Sequence, residues 1–168
     1  MNDKQIKALR VGDEVRLTGI VYTARDQAHK RMVNLHKKNK KFPIDLRGAI
    51  IYYCGPTQTP KGKVIGSCGP TTAARMDEFA PYLLKAGVKG MIGKGARSKA
   101  VIDAIKKYKA VYFLTYAGCG ALLNRHVRKA KKIAYHDLGC EAIHELYVKD
   151  FPLIVAIDAK GRNIYDQK

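Results

Sequence analysis

The stretch Gly66-Ser-Cys-Gly-Pro-Thr-Thr-Ala-Ala-Arg-Met-Asp77 restricts this chain more than any other. Glycines and a proline open directly onto a helical apolar stripe (Met76, Phe79, Ala80, Leu83). A tight turn is therefore predicted to enter a helix over Thr72–Lys85, with a kink or break at Pro81. Such a junction aims unpaired backbone N–H groups and the positive end of a helix at one spot, which makes an anion site. Thr71 and Thr72 add hydroxyls, and Arg75 adds a guanidinium. The four-residue spacing sets Thr71 and Arg75 on one helix face. The chemistry expected is a carboxylate or phosphate clamp beside a hydroxyl able to move a proton.

Two more cationic junctions follow the same plan. Gly93-Lys-Gly-Ala-Arg-Ser98 sits between a short strand and a helix; it either puts Lys94 near a helix start with Arg97 and Ser98 beside it, or is a surface turn in which Ser98 caps the helix. Its spacing is not that of a nucleotide-binding phosphate loop. Thr23-Ala-Arg-Asp-Gln-Ala-His29 lies between a strand and a helix. Arg25 there is free to meet Asp26 or a ligand, and His29 shares its helix face, either as a packed side chain or as part of a site. Three separated cationic junctions suit a small dianion. A planar guanidinium grips a carboxylate through two parallel hydrogen bonds, and two such grips align the atoms between them. No strong base, metal-ligand cluster or cofactor fingerprint accompanies them, so a catalytic role would be half of a site.

Strands are predicted at Val15–Tyr22, Ala49–Cys54, Gly90–Gly93, Ala110–Tyr116, Ile133–Leu138, Ala142–Val148 and Leu153–Asp158. Helices are predicted at Arg25–Lys38, Arg97–Lys107 and Ala121–Lys131. Ile164–Tyr165 is expected to pair back as a hairpin. The mixture implies a layered α/β or α+β fold. With 168 residues, 46% of them apolar, and no repeat or linker, one domain over 1–168 is expected. No apolar run is long enough for a membrane span, and the first residues lack a secretory h-region, so a cytoplasmic protein is expected.

The net charge of +18 favours acidic partners, nucleic acid among them. The basic clusters Lys37–Lys41 and Arg125–Lys132 are read as solvated helix ends or faces, and no aromatic–basic RNA motif is present. Cys54, Cys68, Cys119 and Cys140 lack the Cys-x-x-Cys spacing of common metal sites. They read as small packed residues, with convergence on an iron–sulfur cluster as the alternative.

Taken together, Thr23–His29, Tyr53-Cys-Gly-Pro56, Gly66–Asp77, Lys94–Ser98, Glu141-Ala-Ile and Val148-Lys-Asp-Phe-Pro152 carry a family likeness. The chain resembles the β subunit of two-subunit class I fumarate hydratases, the related β subunit of L-tartrate dehydratase, and the C-terminal domain of one-chain class I fumarases. The resemblance runs from about Gly12 to Asp166. It implies a three-layer swivelling β/β/α domain and a hydro-lyase that interconverts fumarate and L-malate. It also implies an iron–sulfur α subunit, in an α2β2 assembly, that holds a 4Fe–4S cluster through its own cysteines, so that this chain has no cluster ligand. By the same likeness Thr71 matches the proton-transfer threonine, activated by an aspartate of the other subunit. Arg25, Arg75 and Lys94 match substrate-binding residues, with Thr72 beside them and His29 shaping the site. Ala96 departs from the Asn that many members carry. The same likeness leaves tartrate as the alternative substrate.

Overall fold

The computed structural model describes residues 3–166. In chain order the main elements are α1 (Asp3–Ala8), β1 (Glu14–Thr23), α2 (Asp26–Lys37), β2 (Ile50–Tyr52), α3 (Ala80–Lys85), β3 (Gly90–Gly93), α4 (Lys99–Tyr108), β4 (Val111–Leu114), α5 (Gly120–Leu123), β5 (Val127–Ala134) and β6 (Ile143–Ile157). From β1 to β4 the chain alternates strand and helix, more regularly than the sequence pattern indicates. The four strands pair in parallel, in chain order. The 15-residue β6 runs antiparallel to β4 on one side and to β1 on the other. This closes a five-stranded mixed barrel within an α/β fold. β5 adds to the free half of β6.

Side chains alternate across these strands, as the pleat requires. Ile50, Tyr52, Ile92, Val111, Phe113 and Val155 belong to one cluster of buried residues inside the barrel. Their neighbours Ile51, Tyr53, Met91 and Tyr112 point the other way, into a second cluster with Met32 of α2, Leu84 of α3 and Ile105 of α4. The parallel strands β2, β3 and β4 are thus buried on both faces, which is why each reads as a short continuous apolar run.

The expectations from Val15 to Lys107 hold in outline, with changes at the helix starts. The helix expected over Thr72–Lys85 is two pieces, a single 3-10 turn (Ala73–Met76) and α3, whose first turn holds Pro81. Proline fits that position because the N–H it lacks would have no helical partner there. In place of the helix expected at Ala121–Lys131 there is one α-turn, a 3-10 turn (Asn124–His126) and then β5. Pairing with β6 overrides local propensity, and two register shifts blur the period-two pattern. The basic residues Arg128, Lys129, Lys131 and Lys132 are exposed on this strand rather than on a helix face. Charges on an edge strand discourage pairing with another chain. The expected strand Ile133–Leu138 stops at Ala134. Tyr135 has φ 55°, and a 3-10 segment (His136–Glu141) follows. The two strands expected at Ala142–Val148 and Leu153–Asp158 are one strand, continued through Pro152. Near the C-terminal end Asn163 bridges back to Ile157, while Ile164–Asp166 is a 3-10 turn in place of the expected hairpin strand.

Gly66 lies where a side chain cannot go. A Cβ there would run into the backbone carbonyls of Thr57 and Gln58. Those contacts close the base of the loop that precedes the glycine-rich segment, together with the Thr57 N–H donating to the Ser67 carbonyl (3.0 Å). Gly66→Ala is therefore expected to destabilise the fold by about 2 kcal/mol through overpacking. Thermal unfolding should show this as a Tm lowered by about 6 °C.

Candidate functional site at the carboxyl edge of the parallel strands

Because β1 to β4 are parallel, their carboxyl ends share one edge, the usual place for a site in α/β sheets. Arg25 follows β1, Tyr53 to Gly55 follow β2, and Lys94 follows β3 directly. The Gly66–Asp77 segment is stitched across this edge. Thr71 donates its N–H and its hydroxyl to the Tyr53 carbonyl, at 2.8 and 3.0 Å. The Lys94 N–H donates to the Thr71 carbonyl (3.2 Å), and the Ala73 N–H donates to the Lys94 carbonyl (2.9 Å). Thr72 and Lys94 form a parallel bridge. Thr71, Thr72 and Lys94 are therefore brought together by extended backbone pairing. Thr71 precedes the 3-10 turn, so the shared helix face expected for Thr71 and Arg75 does not exist.

Arg75 is half exposed, and its guanidinium lies side-on to Asp26, with Nε donating to Oδ1 (3.0 Å) and Nη2 to Oδ2 (2.7 Å). The same Asp26 carboxylate is 3.8 Å from Arg25 Nε, and Glu141 is 3.7 Å from Arg25 Nη2. Arg25 Nε is buried and makes no hydrogen bond to the described residues. Arg25 occupies space that a side chain at residue 55 would take. A Cβ on Gly55 would lie 2.8 Å from its Nη1 and 3.0 Å from its Cδ. Motif reading offers Asp26 as a partner for Arg25 but not for Arg75, and gives Glu141 and Gly55 no part in the site although both lie in the motifs that carry the likeness. Its place directly after Arg25 is the available signal for Asp26, whereas Glu141 arrives from a distant part of the chain.

The second junction departs from its sequence reading. Asp77 fills the start of α4, accepting the Ser98 N–H at 2.6 Å and Arg97 Nε at 2.7 Å. The Arg97 side chain is fully buried and packs against the rings of Tyr53 and Tyr112, with Cζ 5.3 and 4.9 Å from their centroids. The protein's own carboxylate thus takes Arg97 and the Ser98 N–H away from any ligand, while the Lys94 side chain and the exposed Ser98 hydroxyl are not engaged by it. Arg97→Ala would leave Asp77 uncompensated, a loss of about 3 kcal/mol. By contrast, Lys99→Ala breaks only an exposed pair with Asp103 and should leave the denaturation midpoint unmoved.

His29 is buried, with Nδ1 2.8 Å from the Arg25 carbonyl and its ring edge-on to Tyr53 at 5.3 Å. Burial pushes its pKa down to about 4. It is therefore an uncharged ring near neutral pH, packed against the Arg25 turn. Protonation must wait for unfolding, so the unfolded state takes up a proton below the ordinary value of 6.5 and stability falls as pH falls. Between pH 7 and pH 5 this one group should cost about 2 kcal/mol. Urea midpoints at the two pH values would read the loss, and His29→Gln should remove it.

The cysteines do not suit an iron–sulfur cluster. Cys54 and Cys68 are buried in the barrel interior, and burial pushes both thiols up, Cys68 to about 12, away from the thiolate a metal needs. Among the described residues no three His, Cys, Asp or Glu side chains are grouped to hold a metal ion. The same residues include no helix long and apolar enough to cross a membrane.

The family described as fumarase C-terminus matches residues 1–168. The chain belongs to that family. A Methanocaldococcus jannaschii protein provisionally named the β subunit of L(+)-tartrate dehydratase is 39% identical, over 99% of this chain and 89% of its own length. The L(+)-tartrate dehydratase β subunit of Escherichia coli is 34% identical, over 96% of this chain and 81% of its own. The anaerobic class I fumarate hydratase of Escherichia coli is 36% identical over 97% of this chain, but the match spans only 30% of that enzyme. This chain therefore corresponds to nearly the whole of the first two proteins and to under a third of the last.

Proposed function

We propose that this chain is the β subunit of a class I fumarate hydratase, a hydro-lyase that interconverts fumarate and L-malate at a site shared with an α subunit. The observation that carries the reading is the gathering of Arg25, Thr71, Arg75 and Lys94 at one strand edge, in a member of the fumarase C-terminus family. Arg25 and Arg75 hold the two substrate carboxylates, and Lys94 adds positive charge beside Thr72. The Thr71 hydroxyl moves the proton at the carbon that does not carry the substrate hydroxyl. Its hydrogen bond to the Tyr53 carbonyl orients the hydroxyl and leaves a lone pair to receive that proton. A threonine hydroxyl is a weak base, so the group that activates it is assigned to the partner. His29 is buried and uncharged near neutral pH, and is not that group. The 4Fe–4S cluster is likewise assigned to the α subunit, in keeping with the thiols of this chain. On the same reading the domain is a three-layer β/β/α unit that swivels against its partner, in an α2β2 assembly in the cytoplasm.

A second reading, the β subunit of L-tartrate dehydratase, is favoured by one observation. The relatives whose own length this chain nearly spans carry that name. Production with the α subunit without oxygen, followed by turnover of malate and of tartrate, separates the two. Malate turnover is expected, and tartrate turnover alone would reverse the choice. Salt-sensitive binding of a defined RNA, with neither turnover, would move the function to nucleic acid.

The chain alone should be colourless and inactive. In the reconstituted enzyme, Arg75→Ala should lower kcat/KM about 100-fold, the scale of one lost charged grip. Lys38→Ala, on an exposed residue at the end of α2, should leave it within about twofold.

A further inference from the structure

A guanidinium offers two edges to carboxylates. Arg75 spends the Nε–Nη2 edge on Asp26 and leaves Nη1 out of its hydrogen bonds, with the side chain half exposed. The end-on edge is therefore presented outward. Asp26 is itself held firmly. It is the first residue of α2, where a negative side chain meets the positive helix end, and its side chain is three-quarters buried. Its Oδ2 is 2.7 Å from Arg75 and 3.8 Å from Arg25, so one carboxylate stands between the two cations and offsets their repulsion. Glu141 steadies the same turn from the far side. Its Oε2 accepts the Gln27 N–H at 2.8 Å while Oε1 lies 3.7 Å from Arg25.

We infer that Asp26 is a positioning residue that sets the separation of the Arg25 and Arg75 grips, so that the site selects dicarboxylates by length. The inference rests on the reading above that both arginines hold substrate. It differs from a purely structural role in what it moves. Asp26→Asn keeps the side chain's size and an accepting oxygen in a pair whose Arg75 side is half exposed, so folding should stay largely intact while the geometry of the grips relaxes. A loosened Arg75 still attracts anions. The loss should therefore fall on alignment, and so on kcat, more than on KM.

The test uses the reconstituted two-subunit enzyme and Asp26→Asn. Turnover of malate gives kcat and KM. Calorimetric titration with malonate, succinate and glutarate gives length preference without relying on turnover. Expected are a Tm within about 3 °C of the parent, kcat lowered at least about 10-fold with KM changed less than about threefold, and a succinate preference over both shorter and longer acids that shrinks at least about fivefold. An unchanged length preference would overturn the inference, whatever happened to kcat. If Asp26→Asn does not assemble, Asp26→Glu keeps the charge and pushes the Arg75 fork out by one methylene. Its length preference should shift, and an unshifted one overturns the inference equally. A parent enzyme that binds succinate selectively but turns over neither malate nor tartrate would sink the proposed activity and leave the Asp26 result readable.

Discussion

The buried contact between Arg97 and Asp77 holds the site segment to the rest of the fold. Arg97 brings a positive charge into a pocket walled by two tyrosine rings, and a buried charge is tolerated only when it is paired. Asp77 supplies the pair and, with its other oxygen, caps α4. Three pieces far apart in sequence thus become one unit: the end of the Gly66–Asp77 segment, the first turn of α4, and Tyr53 at the end of β2. The Tyr53 carbonyl in turn holds Thr71 at the other end of the segment. Thr71 is anchored at both ends of its own stretch by groups that belong to strand ends and a buried ion pair, which suits a hydroxyl that has to be aimed.

The same economy of charge shapes the site edge. Cations are abundant on this chain, yet those at the edge differ sharply in what surrounds them. Arg97 is neutralised from within and serves the fold. Arg25 and Arg75 are only partly neutralised, by carboxylates at 3.7 and 3.8 Å in the first case and by a single side-on contact in the second. That partial neutralisation keeps two like charges close while leaving each able to take an anion. Gly55 makes the arrangement sterically feasible, since any larger residue would push Arg25 away.

Motif reading located the site edge because its residues are local in sequence: Arg25 after β1, Lys94 after β3, and the glycine-rich turn before Thr71. It failed where long-range pairing decides. Val127 to Ala134 carries four exposed cations and two irregularities, so neither a helical nor a strand period stands out, and only the partner strand β6 makes it a strand. The roles of Asp77 and Glu141 were hidden for a related reason, since a carboxylate's partner in space leaves no trace in spacing. Arg97 reads only as a neighbour of Lys94, and nothing in its spacing announces that it is buried. The two aromatic residues that bury it lie 44 positions before and 15 after.

The distribution of acids and bases also explains why the chain should need a partner. The acids at the site edge, Asp26 and Glu141, are occupied by arginines and by the α2 N-terminus. The buried imidazole nearest the site is uncharged at neutral pH, donates its Nδ1 proton to the Arg25 carbonyl, and is held by burial at a pKa of about 4, which makes it a weak proton acceptor. What remains is a hydroxyl flanked by cations, an arrangement that holds and orients a dianion well but takes a carbon-bound proton poorly. A hydroxyl becomes an effective base only when a second group accepts its proton in the same step, and the acids of this chain at the edge are already engaged. On the proposed reading the chain supplies position and charge, and the reactivity comes from its partner.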